Sequence, residues 1–316
     1  MVFLHTLYLK GEIDQLRKEV LATILLVFVT FFWGATFVIV QNAIAFIEPF
    51  SFNAVRFLLA AFILLPFWLK NYKGGLTVKQ IFISCGVGFI SFTGYLLQTF
   101  GLLYTTSSKS GFITGICVIL VPVFLFLVFR ERSSIGTIVA CIIALFGLKV
   151  LTSDDHFSFN IGDTLTLFCA VAFAFHIILS GKYSKEINPL TFAFIQIVTV
   201  GVCSTIFSLL FEKTGRIFSI SLWQNNSFVF AVIITALFCT SIAYSIQMFA
   251  QKHISSTKAA IIFILEPVFA AMTSVFYGGE TLTMHTILGG ALIVGGMFLS
   301  EIPLPKKFSK IKNEAM

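Results

Sequence analysis

The chain has 316 residues, 58% of them hydrophobic and 11% charged, with 39 Phe and a formal net charge of +7. Soluble domains carry about 25% charged residues, so an ordinary water-soluble domain is excluded: too little polar surface exists to cover this apolar material, and a bilayer removes the need. Cys85, Cys117, Cys141, Cys169, Cys203 and Cys239 each sit in an apolar run, with no CxxC pair and no His at ligand spacing. That excludes a Cys/His metal site and a disulfide framework; no metal and no cofactor are expected.

In chain order, residues 1–19 come first. Residues 2–9 are apolar, but Lys10, Glu12, Asp14, Arg17, Lys18 and Glu19 follow. A signal peptide places its charges first and a small-residue cleavage site after, so this segment is expected to be a cytoplasmic lead-in, or a short helix at the interface. About 20 apolar residues at 1.5 Å rise cross about 30 Å of hydrocarbon. Such runs predict ten membrane helices. Five lie in a half spanning 20–151, at residues 20–40, 50–69, 80–102, 108–129 and 135–151. Five lie in a half spanning 162–300, at residues 162–181, 190–211, 227–250, 257–277 and 284–300. Residues 301–316 form a basic cytoplasmic tail whose Lys306, Lys307, Lys310 and Lys312 suit anionic headgroups. The expected class is an all-α polytopic membrane protein with the lipid bilayer as its partner.

Basic residues test the count. Lys10, Arg17, Lys18, Lys70, Lys73, Lys79, Arg130, Arg132, Lys182, Lys185, Lys252, Lys258 and the four tail lysines share one side, which gives 16 of 21. Lys109, Lys149, Lys213 and Arg216 share the other, and Arg56 lies within a span. The positive-inside bias then places both termini in the cytoplasm of a cell with a bacterial-type inner membrane. It also accounts for the net charge without nucleic acid.

Rare residues repeat along the chain. At a shift of 149, Tyr95 meets Tyr244, Gln98 meets Gln247, Lys109 meets Lys258, Glu131 meets Glu280, Thr137 meets Thr286 and Gly147 meets Gly296. Ser107-Ser108 likewise meets Ser256-Thr257. Earlier in the halves the shift is 140, with Pro49 on Pro189, Phe52 on Phe192 and the Trp33 region on Phe173. Each unit holds five spans, and an odd number makes the second copy enter from the opposite side. Ten helices as two inverted five-helix repeats are the architecture of alternating-access transporters, with a binding site near the midplane.

The residues carrying the repeat also resemble a known family. Phe32-Trp33-Gly34-Ala35-Thr36-Phe37 looks like its opening W-G-x-x-F signature, and Pro49 with Arg56-Phe57 resembles its second-helix pattern. Glu266-Pro267-Val268-Phe269-Ala270-Ala271, followed by Gly279-Glu280-Thr281-Leu282, is similar to the ninth-helix block of the drug/metabolite transporter superfamily, EamA-like branch. The resemblance runs from about Leu21 to Leu299. It implies a ten-helix inverted fold that moves amino acids, other metabolites or drugs, often outward. One departure is Phe129-Arg130-Glu131-Arg132, which lacks the Gly usual before that Glu.

Ionisable groups inside a span cost about 2.5–3.5 kcal/mol on insertion scales, so each is a functional candidate. Glu266 lies deepest, in the ninth span, and is a candidate for proton coupling; a protonated Glu bonded to a neighbouring helix is the bland alternative. Pro267 beside it frees a carbonyl one turn earlier. His176 is a candidate proton relay or a neutral His bonded between helices. Arg56 reads as a carboxylate anchor, a partner of Glu48 or Glu266, or a side chain snorkelling outward. Tyr95 and Gln98, and again Tyr244 and Gln247, stand at i, i+3 on one helix face and suit either a small ligand or interhelical bonding. Trp33 lines the cavity or packs. Lys109 and Lys258, each beginning a span, are gate or snorkelling candidates, while Glu131 and Glu280 suit capping and interface ion pairing. Gly111 with Gly115, and Ala291 with Gly295, permit close helix approach, within the bundle or at a homodimer seam.

No HExxH, paired-Asp or GxSxG motif is present, which argues against the alternative, a membrane-embedded enzyme acting on lipid-linked substrates, and no P-loop is present to use ATP. The sequence therefore reads as a gradient-driven secondary transporter of small metabolites, of amino-acid type, exporting and proton-coupled, and not an enzyme.

Overall fold

The computed structural model describes residues 2–72, 74–130, 139, 142–143, 145–147, 149–150 and 159–301, with side chains of the first helix from Asp14 onward. Every regular element among these residues is helical. They are α1 (Val2–Ala43), α2 (Pro49–Asn71), α3 (Val78–Gly101), α4 (Ser107–Gly115), α5 (Cys117–Phe129), α6 (Ile161–Tyr183) and α7 (Pro189–Phe211). Short turns at Thr214–Phe218 and Ile220–Trp223 lead to α8 (Asn226–Ala236), α9 (Ala243–His253), α10 (Ser256–Phe263), α11 (Leu265–Phe276) and α12 (Met284–Glu301).

Among the described residues, eight stretches are long and apolar enough to cross a membrane: Asp14–Ala43, Pro49–Asn71, Val78–Gly101, Ser107–Val128, Ile161–Tyr183, Pro189–Phe211, Asn226–His253 and Ser256–Phe276. They correspond to the first four and the sixth to ninth expected spans. The tenth appears as the shorter apolar stretch Met284–Gly296 within α12, and the fifth falls mostly outside the described residues. The lead-in is not a separate interfacial helix. α1 runs unbroken from Val2 into the first span, because the residues around Glu19 are good helix formers with no proline among them.

Helix starts follow local chemistry. Pro49 and Pro189 occupy the first turn of α2 and α7, where the missing N–H costs nothing. Thr77 with Gln80, and Asn160 with Asp163, form reciprocal caps on α3 and α6. Phe62, Phe82, Leu210 and Phe276 keep 68–75% of their surface open on the outside of the bundle. Only lipid accommodates such a shell, and the protein is a multi-pass membrane protein.

Inside, α2 packs along α7, α3 lies on α6 and α7, α1 lies on α11 and α9, and α4 contacts α11 and α6. Long-range contacts sort the loops onto two faces. On the near face Gln80 donates to the Glu186 carbonyl at 3.2 Å, and Lys258 lies 3.6 Å from Glu19. On the far face Gln41 donates to the carbonyls of Leu102 and Thr105, and Glu212 accepts from the amides of Phe50 and Ser51 at 2.8 Å.

Among the described residues, three spans are irregular near their middles. The fourth is interrupted at Ile116, after Gly115, and the ninth at Ile264. Pro267 explains the second break: it cannot donate to the Phe263 carbonyl, and its ring crowds that carbonyl. The eighth span widens into a π turn at Leu237–Ile242 between α8 and α9. Gly34 brings α1 against α11 so closely that a Cβ there would lie 2.5 Å from Phe269 Cβ and 2.9 Å from the Glu266 carbonyl.

Candidate functional site

Both helix breaks border one narrow internal cavity, and the π turn bonds to Trp33 and Arg56 of its wall. Its walls are Trp33 and Thr36 of α1, Arg56 of α2, Tyr95 and Gln98 of α3, Thr114 and Cys117 beside the first break, and Phe173, His176 and Ile177 of α6. Tyr244 and Gln247 of α9, with Phe263 and Glu266 beside the second break, complete it. About 50 Å³ is open to the centres of water molecules, room for a few waters.

All eight residues singled out as cavity candidates meet here: Trp33, Arg56, Tyr95, Gln98, His176, Tyr244, Gln247 and Glu266. Under the shifts of 140 and 149, twelve of the fourteen lining residues form six pairs. These are Trp33 with Phe173, Thr36 with His176, Tyr95 with Tyr244, Gln98 with Gln247, Thr114 with Phe263 and Cys117 with Glu266. Helices of both halves thus contribute equivalent positions to one space.

The polar groups are held from behind. Trp33 donates its indole N–H to the Cys239 carbonyl at 2.9 Å, a carbonyl within the π turn, and its ring stands 5.3 Å from that of Phe263. His176 Nε2 lies 2.8 Å from Gln196 Oε1 between α6 and α7, and Gln196 in turn reaches Met248 Sδ at 3.4 Å. Tyr244 bonds Ser91 through its hydroxyl, and its ring lies 6.4 Å from Tyr95. Gln247 Oε1 is buried with no hydrogen-bond partner. Glu266 is partly accessible within the cavity wall.

Arg56 neither snorkels nor pairs with Glu48 or Glu266. It is 1% exposed; its Nε donates to Thr240 Oγ1 at 2.9 Å, and its guanidinium carbon stands 5.0 Å from the Tyr95 ring and 5.1 Å from the Phe57 ring. No carboxylate lies within 4.0 Å of it among the described residues.

The gate and interface candidates divide between the faces. Lys109, buried at the far face, forms an ion pair with Asp163 at 2.6 Å. Asp163 also accepts from Thr105 Oγ1 at 2.7 Å and from the Asn160 amide at 2.9 Å. Snorkelling therefore does not describe Lys109. Glu280 caps α4, accepting from the Ser107 amide at 2.8 Å and from the Ser108 hydroxyl. Gly279, at φ +67°, turns the chain back to deliver it. Lys258 is exposed at the near face with Glu19 at 3.6 Å, and Glu131 lies outside the described residues. Gly111 packs within the bundle, where a Cβ would lie 2.5 Å from Ala270 Cβ; Gly295 meets nothing within 4 Å.

Asp163, Gln196 and Thr240 were not singled out from the sequence. Asp163 carried a signal, an N-x-x-D cap at the start of a span. Gln196 carried another, as the partner of Arg56 under the shift of 140. Thr240 carried none. Five described cysteines are free, and no cluster of metal-ligating side chains occurs among the described residues.

The EamA-like transporter family model matches twice, over residues 20–153 and 160–302. An uncharacterized transporter of Archaeoglobus fulgidus is 35% identical over 279 residues, covering 88% of this chain and 84% of its own. Uncharacterized transporters of Clostridium kluyveri and Buchnera aphidicola subsp. Schizaphis graminum are 23% and 25% identical, covering 80% and 85% of this chain and 83% and 90% of theirs. One solved crystal structure aligns with a TM-score of 0.68 at 17% identity, over 89% of this chain and 98% of its own, a likeness of fold alone. Family and relatives point to a transporter rather than an enzyme. The chain belongs to the EamA-like transporter family.

Proposed function

We propose that this protein is a secondary transporter that exports amino acids or related small metabolites by alternating access, driven by a proton gradient. In this reading ten helices form two inverted five-helix repeats, residues 20–151 and 162–300, in a bacterial-type inner membrane. The near face is cytoplasmic, with both termini there. The observation that carries the reading is the cavity, bounded by equivalent positions of the two halves. Two halves of like structure supply two conformations of similar energy, one open to each side. The cavity now admits only waters, so loading a solute requires the halves to part. Lys109 with Asp163, and Glu280 on α4, latch the far face.

Glu266 is the titrating group in this reading. It stands at the break made by Pro267, in the cavity wall, where a proton and a solute compete for one space. The test is uptake of labelled amino acids and metabolites by purified protein in liposomes, with and without an imposed pH gradient. Gradient-dependent accumulation that is lost in Glu266→Gln is expected. Transport indifferent to pH that survives Glu266→Gln sinks the coupling.

A further inference from the structure

The cavity holds a buried guanidinium that no carboxylate of the described protein neutralises. An arginine stays charged in proteins, and a buried charge is retained where something compensates it. Here the compensation is incomplete: one bond from Nε, two aromatic faces about 5 Å away, and a buried Nη2 with no hydrogen-bond partner.

The single bond is a constructed one. In the π turn the Thr240 hydroxyl donates to the Thr235 carbonyl, five residues back, at 2.8 Å. Its oxygen is thereby left to accept from Arg56. The neighbouring Ser241 hydroxyl shares its one proton between the Ala236 carbonyl, five residues back, and the Ala60 carbonyl of α2, both at 2.9 Å. The wide turn is thus fastened to α2 at two points, the Arg56 guanidinium and the Ala60 carbonyl one turn further along. It fixes Nε, while Nη2 stays buried and unpartnered on a side chain that lines the cavity.

We propose that Arg56 is the docking group for a carboxylate of the transported solute, with Thr240 as its positioning residue. This rests on the cavity being the solute site. A guanidinium fork matches the two oxygens of a carboxylate, and one arginine matches one negative charge. A phosphate dianion would set its second charge in the same narrow space as Glu266. Gln247 Oε1, also unpartnered, offers an acceptor for a donor elsewhere on the same solute.

The test uses acetate, the smallest carboxylate, against acetamide, its neutral isostere, at constant ionic strength. The reporter is the fluorescence of Trp33 in purified full-length protein carrying Trp68→Phe and Trp223→Phe. Acetate is expected to give a saturable change and acetamide none. Arg56→Gln weakens the acetate response at least about tenfold, and Thr240→Val weakens it less, since the charge remains but its aim is lost. Size-exclusion profiles establish that each variant is folded. Equal responses to acetate and acetamide, no acetate response in the folded reporter protein, or an unchanged midpoint in Arg56→Gln overturns the proposal. Binding at equilibrium needs no transport. A protein that binds acetate through Arg56 yet carries nothing refutes the transport reading alone; one that carries a solute but ignores Arg56 refutes this inference alone.

Discussion

Replacing Asp163 by Asn tests whether the far face is held by charge. Asp163 is 0% exposed, 2.6 Å from Lys109 Nζ, and accepts two further bonds, from Thr105 and from the Asn160 amide. The amide keeps the shape and one accepting oxygen, so the change removes the negative charge beside a lysine that is itself buried. Breaking a buried pair from one side costs about 3–5 kcal/mol, or roughly two to three and a half decades in the unfolding equilibrium. Full burial of both partners means that solvent screening does not discount this figure. The assay is reversible unfolding in mixed micelles, run as a double-mutant cycle with Lys109→Met. The double variant should recover most of the loss, because an apolar replacement of a buried pair is often neutral. A loss below about 1 kcal/mol in Asp163→Asn, or a double variant no better than the worse single one, refutes the assignment of a stabilising buried ion pair between Lys109 and Asp163.

Gly34→Ala should destabilise by about 1–3 kcal/mol, since its Cβ would fall 2.5 Å from Phe269 Cβ and 2.9 Å from two backbone atoms of α11; thermal unfolding in detergent measures this, and an unchanged midpoint contradicts the close approach. Glu280→Ala removes the acceptor for the first amides of α4 and should cost about 0.5–2 kcal/mol, with faster hydrogen exchange at Ser107 and Ser108 as the local signature. Trp33→Phe keeps the ring but loses the bond to the Cys239 carbonyl, a loss of about 1 kcal/mol; exchange protection around the π turn should fall, and no change there would show that the turn holds without Trp33.

The sequence by itself determined the membrane class, the approximate positions of most spans, and the matched residues at shifts of 140 and 149. These are legible because apolar run length and the placement of rare residues are properties of the chain in one dimension. Ionisable type within a span marked Arg56, His176 and Glu266, the shift of 149 marked Tyr95, Gln98, Tyr244 and Gln247, and Trp33 stood in the opening signature, so the eight residues that meet in the cavity were legible one by one. Tertiary structure decided who bonds to whom. Trp33 and Cys239 are 206 positions apart, Arg56 and Thr240 are 184 apart, and Lys109 finds Asp163 across two spans. No local pattern encodes such a pairing. The π turn at Leu237–Ile242 left no mark in composition or periodicity either, because one extra residue per turn is fixed by what α1 and α2 offer to hydrogen-bond. A span's depth follows from its own residues, whereas the direction of a buried arginine follows from its neighbours.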